Sequence, residues 1–305
     1  MKILFFDHTS VQLKEKLKSL GFNCYSENIN ENNNKEIIGI IVRNHIVDET
    51  LINKYPNLKF IARAGSGIEN INQKYCDQKN IKIIRSPEGN SDAVAEYCLG
   101  SLLTLTRNIA KANDEIKNNL WLRDKNRTHE LKNKTIGIIG YGNTGKAFAE
   151  ILKNFNINVI AYDKYKQNFS DNYAKEVNLK TIFSETDILS IHINYNSDNN
   201  YFINHDFLKS FKNPIYIINT SRGKCLDTNA LIKLIKNKKI IGAVLDVIEY
   251  EESDFKKLNL KNIQNFEFLK KSNKIIMTPH IAGITHESKK EIQDVLLNKI
   301  SEFIL

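Results

Sequence analysis

Short runs of apolar, β-branched residues alternate with longer helical patterns through most of this chain of 305 residues. In the first third, four runs have the length and character of buried strands, at residues 2–6, 37–42, 59–62 and 81–84. Between the first two, residues 11–20 have helical spacing and stop at Gly21, a residue type that commonly ends helices. This alternation predicts a parallel α/β sheet.

A long helical pattern follows from about residue 91 to residue 118. Ser91 and Asp92 are suited to capping its start, and Val94, Cys98 and Leu102 recur at helical spacing. Residues 119–133 are less regular. At the other end of the chain, we expect residues 286–304 to form a last helix that crosses back onto the first domain.

A second series of strands and helices begins at Lys134. Its six predicted strands lie at residues 135–139, 158–162, 187–193, 214–219, 240–245 and 274–277. Six strands with intervening helices are typical of a doubly wound nucleotide-binding domain. At roughly 100–200 residues per domain, the chain length also predicts two domains.

The net charge of +9 has two interpretations. It could mark a nucleic-acid or membrane surface, or it could reflect lysines scattered over solvated faces. No run of five basic residues occurs, which favours scattered lysines and no nucleic-acid partner. A positive field would still attract an anionic substrate and an anionic cofactor.

The four cysteines fit a reducing cytosol, because they form no C-x-x-C pair and no metal-ligand spacing. The N-terminus has too short an apolar run for a signal peptide, and no stretch approaches the ~18 apolar residues of a membrane span. We therefore expect a cytoplasmic protein without a metal and without a membrane segment.

The segment after the first strand of the second series has the pattern of a phosphate-binding turn. Gly140 permits a tight turn, Gly142 lets the backbone approach a pyrophosphate, and Gly145 lets the following helix pack closely. The first N–H groups of that helix, around Asn143 and Thr144, face such a ligand with a partial positive charge. The alternative is a glycine turn without a ligand.

The next strand ends in Asp163, which lies 18 residues after Gly145. A carboxylate there can accept hydrogen bonds from the adenosine ribose hydroxyls and repel the additional phosphate of NADP. The turn and this acid together favour NAD as the cofactor.

Three polar residues follow the later strands, at the edge where open α/β sheets bind their ligands. They are Arg222, Glu251 and His280. Hydride transfer to a 2-keto acid requires a cation for the substrate carboxylate, a proton donor, and a carboxylate that orients the donor. Arginine, histidine and glutamate suit these tasks in that order. Spacing alone leaves open that the arginine lies on the surface and that the histidine is structural.

Several ordered segments resemble the D-isomer-specific 2-hydroxyacid dehydrogenases over essentially the full length. The matching segments are residues 62–72, 86–97, 135–152, 218–231, 242–247 and 278–283. The resemblance implies a flavodoxin-like substrate domain (1–100 with 286–305) and a Rossmann NAD-binding domain (101–285), both doubly wound. It also implies that Arg222, Glu251 and His280 are the catalytic residues.

The resemblance assigns further residues to the two ligands. Beside the phosphate-binding turn and Asp163, it implies cofactor contacts for His192, Thr220, Asp246 and Gly283. For the substrate, it implies that the N–H groups of Ser66, Gly67 and Ile68 hold the carboxylate, that Arg43 and Arg63 face a phosphate, and that Asn90 lies near the substrate.

Within the family, the V-R-N, R-A-G-S-G-I-E-N and E-G-N-S stretches most resemble the short phosphoglycerate-oxidising members. The resemblance therefore implies NAD-dependent oxidation of D-3-phosphoglycerate, the entry step of serine synthesis. It also implies a homodimer formed through residues 91–107 and the segment around Trp121. For Trp121 the alternative is packing in the core.

Three departures and two rival functions remain. Glu251 is followed by Glu252 instead of proline, and Glu249 is near enough to shift the register of the acid. Asn194 stands where the family has proline, and the stretch after residue 283 differs from that of phosphoglycerate-specific members. The rivals are another enzyme of this family, acting on glyoxylate, hydroxypyruvate or D-lactate, and an NAD-binding regulator similar to corepressors.

Overall fold

The computed structural model describes residues 2–7, 11–26, 31–252, 257–259 and 263–304. The chain divides into two compact units. Unit 1 comprises residues 1–90 and 284–305, and unit 2 comprises residues 91–283. Each unit is built around its own parallel sheet, which confirms the predicted class of two doubly wound α/β domains.

Unit 1 has a five-stranded parallel sheet in the order β2-β1-β3-β4-β5. This is the flavodoxin-like order. Its strands are β1 (Lys2–Phe5), β2 (Asn23–Ser26), β3 (Ile37–Val42), β4 (Phe60–Arg63) and β5 (Lys82–Arg85). Its helices are α1 (Val11–Ser19), α2 (Glu49–Asn53), α3 (Gln73–Gln78) and the last helix of the chain, α11 (His286–Ile304).

The core of unit 1 lies on both faces of this sheet. Strand β3 is buried almost throughout, which explains why its sequence is a continuous apolar run. Helix α11 contributes Leu296 and Ile300 to the cluster that also holds Ile3 and Phe5. The end of the chain is therefore part of the core of unit 1.

Strand β2 was not among the predicted strands. It consists of Asn23, Cys24, Tyr25 and Ser26, of which only Cys24 is buried. It is an edge strand paired on one side only, with β1. An edge strand of this composition lacks the apolar run that revealed the other four.

Unit 2 has a seven-stranded parallel sheet in the order β8-β7-β6-β9-β10-β11-β12. Its strands are β6 (Thr135–Ile139), β7 (Asn158–Tyr162), β8 (Lys175–Glu176), β9 (Ile188–Ile191), β10 (Ile215–Asn219), β11 (Ile240–Leu245) and β12 (Ile275–Met277). Its helices are α4 (Ser91–Thr106), α5 (Ile109–Lys117), α6 (Asn143–Ile151), α7 (Leu179–Glu185), α8 (His205–Lys209), α9 (Thr228–Lys236) and α10 (Ile263–Lys271). The order reverses between β6 and β9, which is the position where such sheets bind nucleotides.

Unit 2 begins ten residues earlier than the predicted boundary at residue 100. The reason is helix α4, which packs against α6. Its buried residues Val94, Cys98 and Leu102 join Phe148 of α6 in one apolar cluster of unit 2. The whole of α4 therefore belongs to unit 2.

The long helix predicted for residues 91–118 is two helices. The break is at Asn108, which has a left-handed backbone with φ of 55°. Asparagine adopts this conformation more readily than most residues. After α5, Trp121 is 82 % exposed, so the alternative that it packs in the core of this chain is wrong.

No helix among the residues that the structure describes is long and apolar enough to cross a membrane. The cysteines Cys24, Cys76, Cys98 and Cys225 are buried and unbridged. Within the same described residues, no cluster of three or more His, Cys, Asp or Glu side chains is arranged to hold a metal ion.

Candidate active site

The phosphate-binding turn follows β6 and opens helix α6. Gly140 has φ of +93°, and a Cβ there would lie 2.7 Å from the His192 carbonyl oxygen. A Cβ at Gly145 would lie 2.2 Å from the Gly140 carbonyl oxygen. Both positions therefore exclude any side chain, one because of conformation and space and the other because the helix packs closely on the turn.

Gly142 differs from these two glycines, because a Cβ there would meet nothing within 4 Å. Its place in the turn is open to a ligand rather than filled by protein. It is also the N-cap of α6 and has no side chain with which to cap the helix. The first N–H groups of α6, at Asn143 and Thr144, are therefore not capped by a side chain and suit the binding of a pyrophosphate.

Asp163 directly follows β7 at the same edge of the sheet. Its Oδ2 accepts a hydrogen bond from the Tyr141 N–H at 2.8 Å. Its Oδ1 accepts from the N–H groups of Tyr165 at 2.9 Å and Lys166 at 3.1 Å. A carboxylate can accept about four hydrogen bonds, so about one position remains for a ribose hydroxyl.

The imidazole of His192 lies in the core, beside the ring of Phe148. Its Nε2 is 2.8 Å from the Ser190 hydroxyl, and the residue is 8 % exposed. Burial lowers the pKa of His192 to about 4. The ring is therefore neutral at physiological pH, and the cofactor contact expected for His192 stays a prediction.

Arg222 follows β10, which is next to β11 in the sheet. Its Nη1 donates to the Ser221 carbonyl at 2.7 Å, and its own carbonyl accepts from Asn219 Nδ2 at 3.1 Å. A Cβ at the next residue, Gly223, would lie 2.0 Å from the carbonyl carbon of Ile248. This close approach brings the turn of Arg222 against the segment that follows β11.

His280 follows β12, the neighbour of β11. Its Nδ1 is 2.7 Å from Oε2 of Glu251, and both side chains are largely buried. Oε1 of Glu251 accepts from the Ile248 N–H at 2.6 Å, which holds the carboxylate in place. A carboxylate accepts from Nδ1–H, so in this tautomer Nε2 of His280 is the nitrogen that can take up a proton.

The acidic neighbours of Glu251 do not share this contact. Glu249 lies against the Tyr201 hydroxyl, where burial and this carboxylate raise the pKa of Tyr201 to about 12. Glu252 is exposed. Because β10, β11 and β12 are adjacent and parallel, their carboxyl ends bring Arg222, Glu251 and His280 to one edge of the sheet.

The backbone of His280 is left-handed, with φ of 56°. Asp246, at the end of β11, holds this turn. Its Oδ1 accepts from Thr278 Oγ1 at 2.6 Å and from the Ile281 N–H at 2.8 Å, and its Oδ2 accepts from the Ala282 N–H at 2.8 Å. The His280 N–H donates to the Asp246 carbonyl at 2.8 Å. Asp246 is 1 % exposed, and its carboxylate supports the turn, while the cofactor contact expected for it stays a prediction.

Sequence reasoning missed the residue at the far end of this network. The Tyr97 hydroxyl of α4 is hydrogen-bonded to Thr278 Oγ1, which in turn bonds Asp246. Burial raises the pKa of Tyr97, so it stays a neutral hydroxyl. A tyrosine within a helical pattern resembles any half-buried residue, so the sequence carries no signal for this contact.

Two more residues assigned to the cofactor lie at the same edge. Thr220 directly follows β10, with its hydroxyl 3.4 Å from the buried thiol of Cys98. Burial raises the pKa of Cys98 to about 12, so this thiol is not ionised. Gly283 follows the turn held by Asp246 and is the last residue of unit 2.

In unit 1, the residues assigned to the substrate carboxylate follow β4. Ser66, Gly67 and Ile68 are partly exposed. Within the described part of the chain, their backbone N–H groups donate no hydrogen bond to protein. Three successive N–H groups without an internal acceptor form a suitable site for a carboxylate.

Arg43 follows β3, the neighbour of β4. Its side chain is exposed, and its guanidinium has no hydrogen-bond or ion-pair partner among the residues described. Arg63 is 8 % exposed, and its Nε donates to the Arg43 carbonyl at 3.1 Å. Arg63 therefore supports the loop of Arg43, while a phosphate contact of Arg63 stays a prediction.

Asn90, the last residue of unit 1 before α4, has a buried Oδ1. Among the described residues, this oxygen has no hydrogen-bond partner. An unpaired buried acceptor costs stability, and a donor group of a bound ligand would offset that cost.

Comparison with known proteins places this site in a family. The profile of the D-isomer specific 2-hydroxyacid dehydrogenase NAD binding domain matches residues 99–282. A hydroxypyruvate reductase of Thermotoga maritima is 33 % identical over 267 residues, which are 87 % of this chain and 84 % of that protein. A D-3-phosphoglycerate dehydrogenase of Synechocystis is 33 % identical over 261 residues, covering 82 % of this chain but 45 % of the relative.

Among solved structures, a D-lactate dehydrogenase of Aquifex aeolicus, complexed with NAD and lactic acid, superposes with a TM-score of 0.83. It is 28 % identical and covers 100 % of this chain and 95 % of its own. The chain therefore belongs to the D-isomer specific 2-hydroxyacid dehydrogenases, and its Rossmann sheet is the NAD-binding domain of that family.

Proposed function

We propose that this enzyme oxidises D-3-phosphoglycerate to 3-phosphohydroxypyruvate with NAD, as the entry step of serine synthesis. The observation that carries the proposal is in unit 1. The loop after β4 has three N–H groups free for a carboxylate, and the loop after the neighbouring β3 presents the exposed guanidinium of Arg43. A substrate with two anionic groups uses both.

The geometry of unit 2 supports the catalytic roles in this proposal. NAD, when bound, would supply the acceptor for the hydride of the substrate α carbon. Nε2 of His280 removes the proton of the hydroxyl, because Nδ1 is already bonded to Glu251. The carboxylate of Glu251 then stabilises the imidazolium, and Arg222 binds the substrate carboxylate and polarises the carbonyl that forms.

The cofactor is bound at the other end of the same edge. The open position at Gly142 and the first N–H groups of α6 would hold the pyrophosphate. Asp163 accepts from a ribose hydroxyl and repels a 2′-phosphate, which supports NAD over NADP.

A second candidate is the reduction of hydroxypyruvate or glyoxylate. The observation that favours it is that the hydroxypyruvate reductase of Thermotoga is as similar to this chain, at 33 % identity, as the phosphoglycerate dehydrogenase of Synechocystis. Both reactions use the same hydride and proton chemistry, so only the substrate distinguishes them.

The test is a comparison of kcat/KM for phosphohydroxypyruvate, hydroxypyruvate, glyoxylate and pyruvate with NADH. The proposal predicts the highest value for the phosphorylated acid. A higher value for hydroxypyruvate or glyoxylate would establish the second candidate instead. Turnover that is lost in Arg222→Ala and His280→Ala would exclude a purely regulatory role, and no turnover of any of these acids would refute an enzymatic one.

We also propose that the enzyme is a homodimer, joined through α4 and the segment around Trp121. The support is the exposure of apolar residues after α4, with Ile116 at 52 % and Trp121 at 82 %. Large exposed apolar side chains that cluster along a chain segment are typical of protein interfaces. Sedimentation equilibrium of the wild type and of Trp121→Ala measures this directly, and a monomeric wild type contradicts it.

A further inference from the structure

The loop after β3 encloses a carboxylate of its own unit. Oδ2 of Asp7 accepts hydrogen bonds from the N–H groups of Arg43 at 2.9 Å, Asn44 at 3.0 Å and His45 at 3.0 Å. Three successive N–H groups that converge on one oxygen form the type of cradle that binds anions in other proteins. In this loop the anion is a side chain of the protein.

The carbonyl groups of the same loop are also held. The Arg43 carbonyl accepts from Arg63 Nε at 3.1 Å and from Asn70 Nδ2 at 3.4 Å. Asn70 Nδ2 also donates to the His45 carbonyl at 2.7 Å. The backbone of this loop is therefore fixed on both its donor and its acceptor side.

Two properties of Asp7 suit it to this position. Its backbone is left-handed, with φ of 65°, a conformation that aspartate, asparagine and glycine tolerate best. Burial raises the pKa of Asp7, but the three N–H groups and the nearby His45 lower it by more, so the net pKa lies below 3.8. The carboxylate is therefore charged throughout the physiological range.

We propose that Asp7 is a positioning residue for the substrate, acting through the loop of Arg43. By filling the N–H cradle, Asp7 fixes the backbone from which the Arg43 guanidinium extends. It also keeps the anionic groups of the substrate out of the cradle, so the three N–H groups of this loop bind Asp7 and not the substrate. This inference rests on the proposed function, in which Arg43 faces the substrate phosphate.

The experiment compares three variants with the wild type. Asp7→Gly keeps the left-handed backbone available and removes the acceptor. Asp7→Asn keeps one oxygen, which is all that the cradle uses. Asn178→Ala is the matched control, because it removes a side-chain acceptor of the Thr181 N–H in unit 2.

The first measurement is the steady-state kinetics with phosphohydroxypyruvate. We expect Asp7→Gly to raise KM roughly ten- to a hundredfold while kcat changes less than about threefold, because a displaced cation loses binding but leaves the chemistry intact. Asp7→Asn is expected to stay within about threefold of the wild type. Asn178→Ala is expected to have the kinetics of the wild type.

The second measurement is hydrogen–deuterium exchange of the peptide that spans residues 43–45. The amides should exchange faster in Asp7→Gly and at the wild-type rate in Asp7→Asn. Asn70→Ala provides an independent release of the loop, and it should raise KM in the same direction. If Asp7→Gly does not fold, the Asn70→Ala variant tests the inference in its place.

Two results would overturn the inference while leaving the proposed function standing. One is a wild-type KM in Asp7→Gly, or in Asn70→Ala, although the amides of residues 43–45 exchange freely. The other is an Asp7→Asn variant as impaired as Asp7→Gly. In contrast, a wild type that turns over no 2-keto acid refutes the proposed function itself, and with it any role of Asp7 in substrate binding.

Discussion

The loop that carries Arg43 in unit 1 and the turn that carries His280 in unit 2 are built on the same plan. In each, an aspartate at the end of a parallel strand accepts hydrogen bonds from successive N–H groups of a neighbouring segment. Each arrangement also contains one left-handed residue, Asp7 itself in unit 1 and His280 in unit 2. Both segments owe their shape to an internal anion.

The two differ in how the carboxylate is used. Asp7 receives its three N–H bonds on Oδ2 alone. Asp246 uses both oxygens and is 1 % exposed, with Tyr97 behind Thr278 extending the network. The carboxylate beside the proposed proton-transfer residue is therefore bonded through both oxygens, while the carboxylate that holds the loop of Arg43 is bonded through one. The following predictions test this contrast in order of expected effect.

Replacing His280 should have the largest effect, because it removes the proposed proton-transfer group. We expect His280→Ala to lower kcat by about 10²–10⁴-fold, the usual contribution of general acid–base catalysis. The dissociation constant for NADH, measured by fluorescence titration, should stay close to that of the wild type. A variant that keeps a tenth or more of the wild-type kcat would place the proton transfer elsewhere.

The partner of His280 is the next most sensitive position. Glu251→Gln should lower kcat roughly ten- to a hundredfold, because the amide stabilises the imidazolium less than the carboxylate does. It should also change the pH profile of kcat/KM. Glu249→Gln is the matched control and should leave that profile unchanged. The reverse pattern would show that the acid lies in the other register.

The amide substitution distinguishes the two supporting aspartates. In Asp246→Asn, either orientation turns an NH₂ group toward a donor, which costs about 1–3 kcal/mol for a buried group. We expect a lower free energy of unfolding in urea and about a tenfold lower kcat. In Asp7→Asn, one oxygen suffices and both quantities should stay near those of the wild type. Equal effects of the two substitutions would contradict the contrast.

A pH titration of stability separates these supports from the buried histidine of unit 2. His192 is protonated below pH 6.5 in the unfolded chain but only below about 4 in the folded one. Acid therefore favours unfolding, and the free energy of unfolding should fall by up to about 3 kcal/mol as the pH drops from 6.5 to 4. The contribution of Asp7 is lost only below 3.8. Urea unfolding of His192→Gln at several pH values should show no such decrease in the free energy of unfolding. A decrease that persists in this variant would contradict the assignment of the effect to His192.

Much of the fold could be predicted from the chain because buried parallel strands leave continuous apolar runs, as in β3 and β11. The break at Asn108 and the edge strand β2 could not. One depends on a single left-handed residue within a helical pattern, and the other has almost no apolar side chain. The local pattern of apolar and polar residues therefore indicates neither the helix break at Asn108 nor the strand β2.

The candidate site also contains residues that could be predicted from the sequence and residues whose roles could not. Residues at strand ends, such as Arg222 and His280, could be found because parallel strands bring their carboxyl ends to one edge. The roles of carboxylates and buried rings could not, since Asp246 and His192 depend on which partners the fold places around them. No local sequence motif marks the role of Asp7, because its three N–H partners lie some 36 residues away in the chain.

The most direct test of the account is the substrate preference of Arg43→Gln. If this loop contacts the substrate through the Arg43 side chain, kcat/KM for phosphohydroxypyruvate should fall roughly ten- to a hundredfold, which corresponds to about 1.5–3 kcal/mol for hydrogen bonds to a charged group. The value for hydroxypyruvate should change less than about threefold, because that acid has no phosphate. An equal loss for both acids, or no loss for either, would contradict the account.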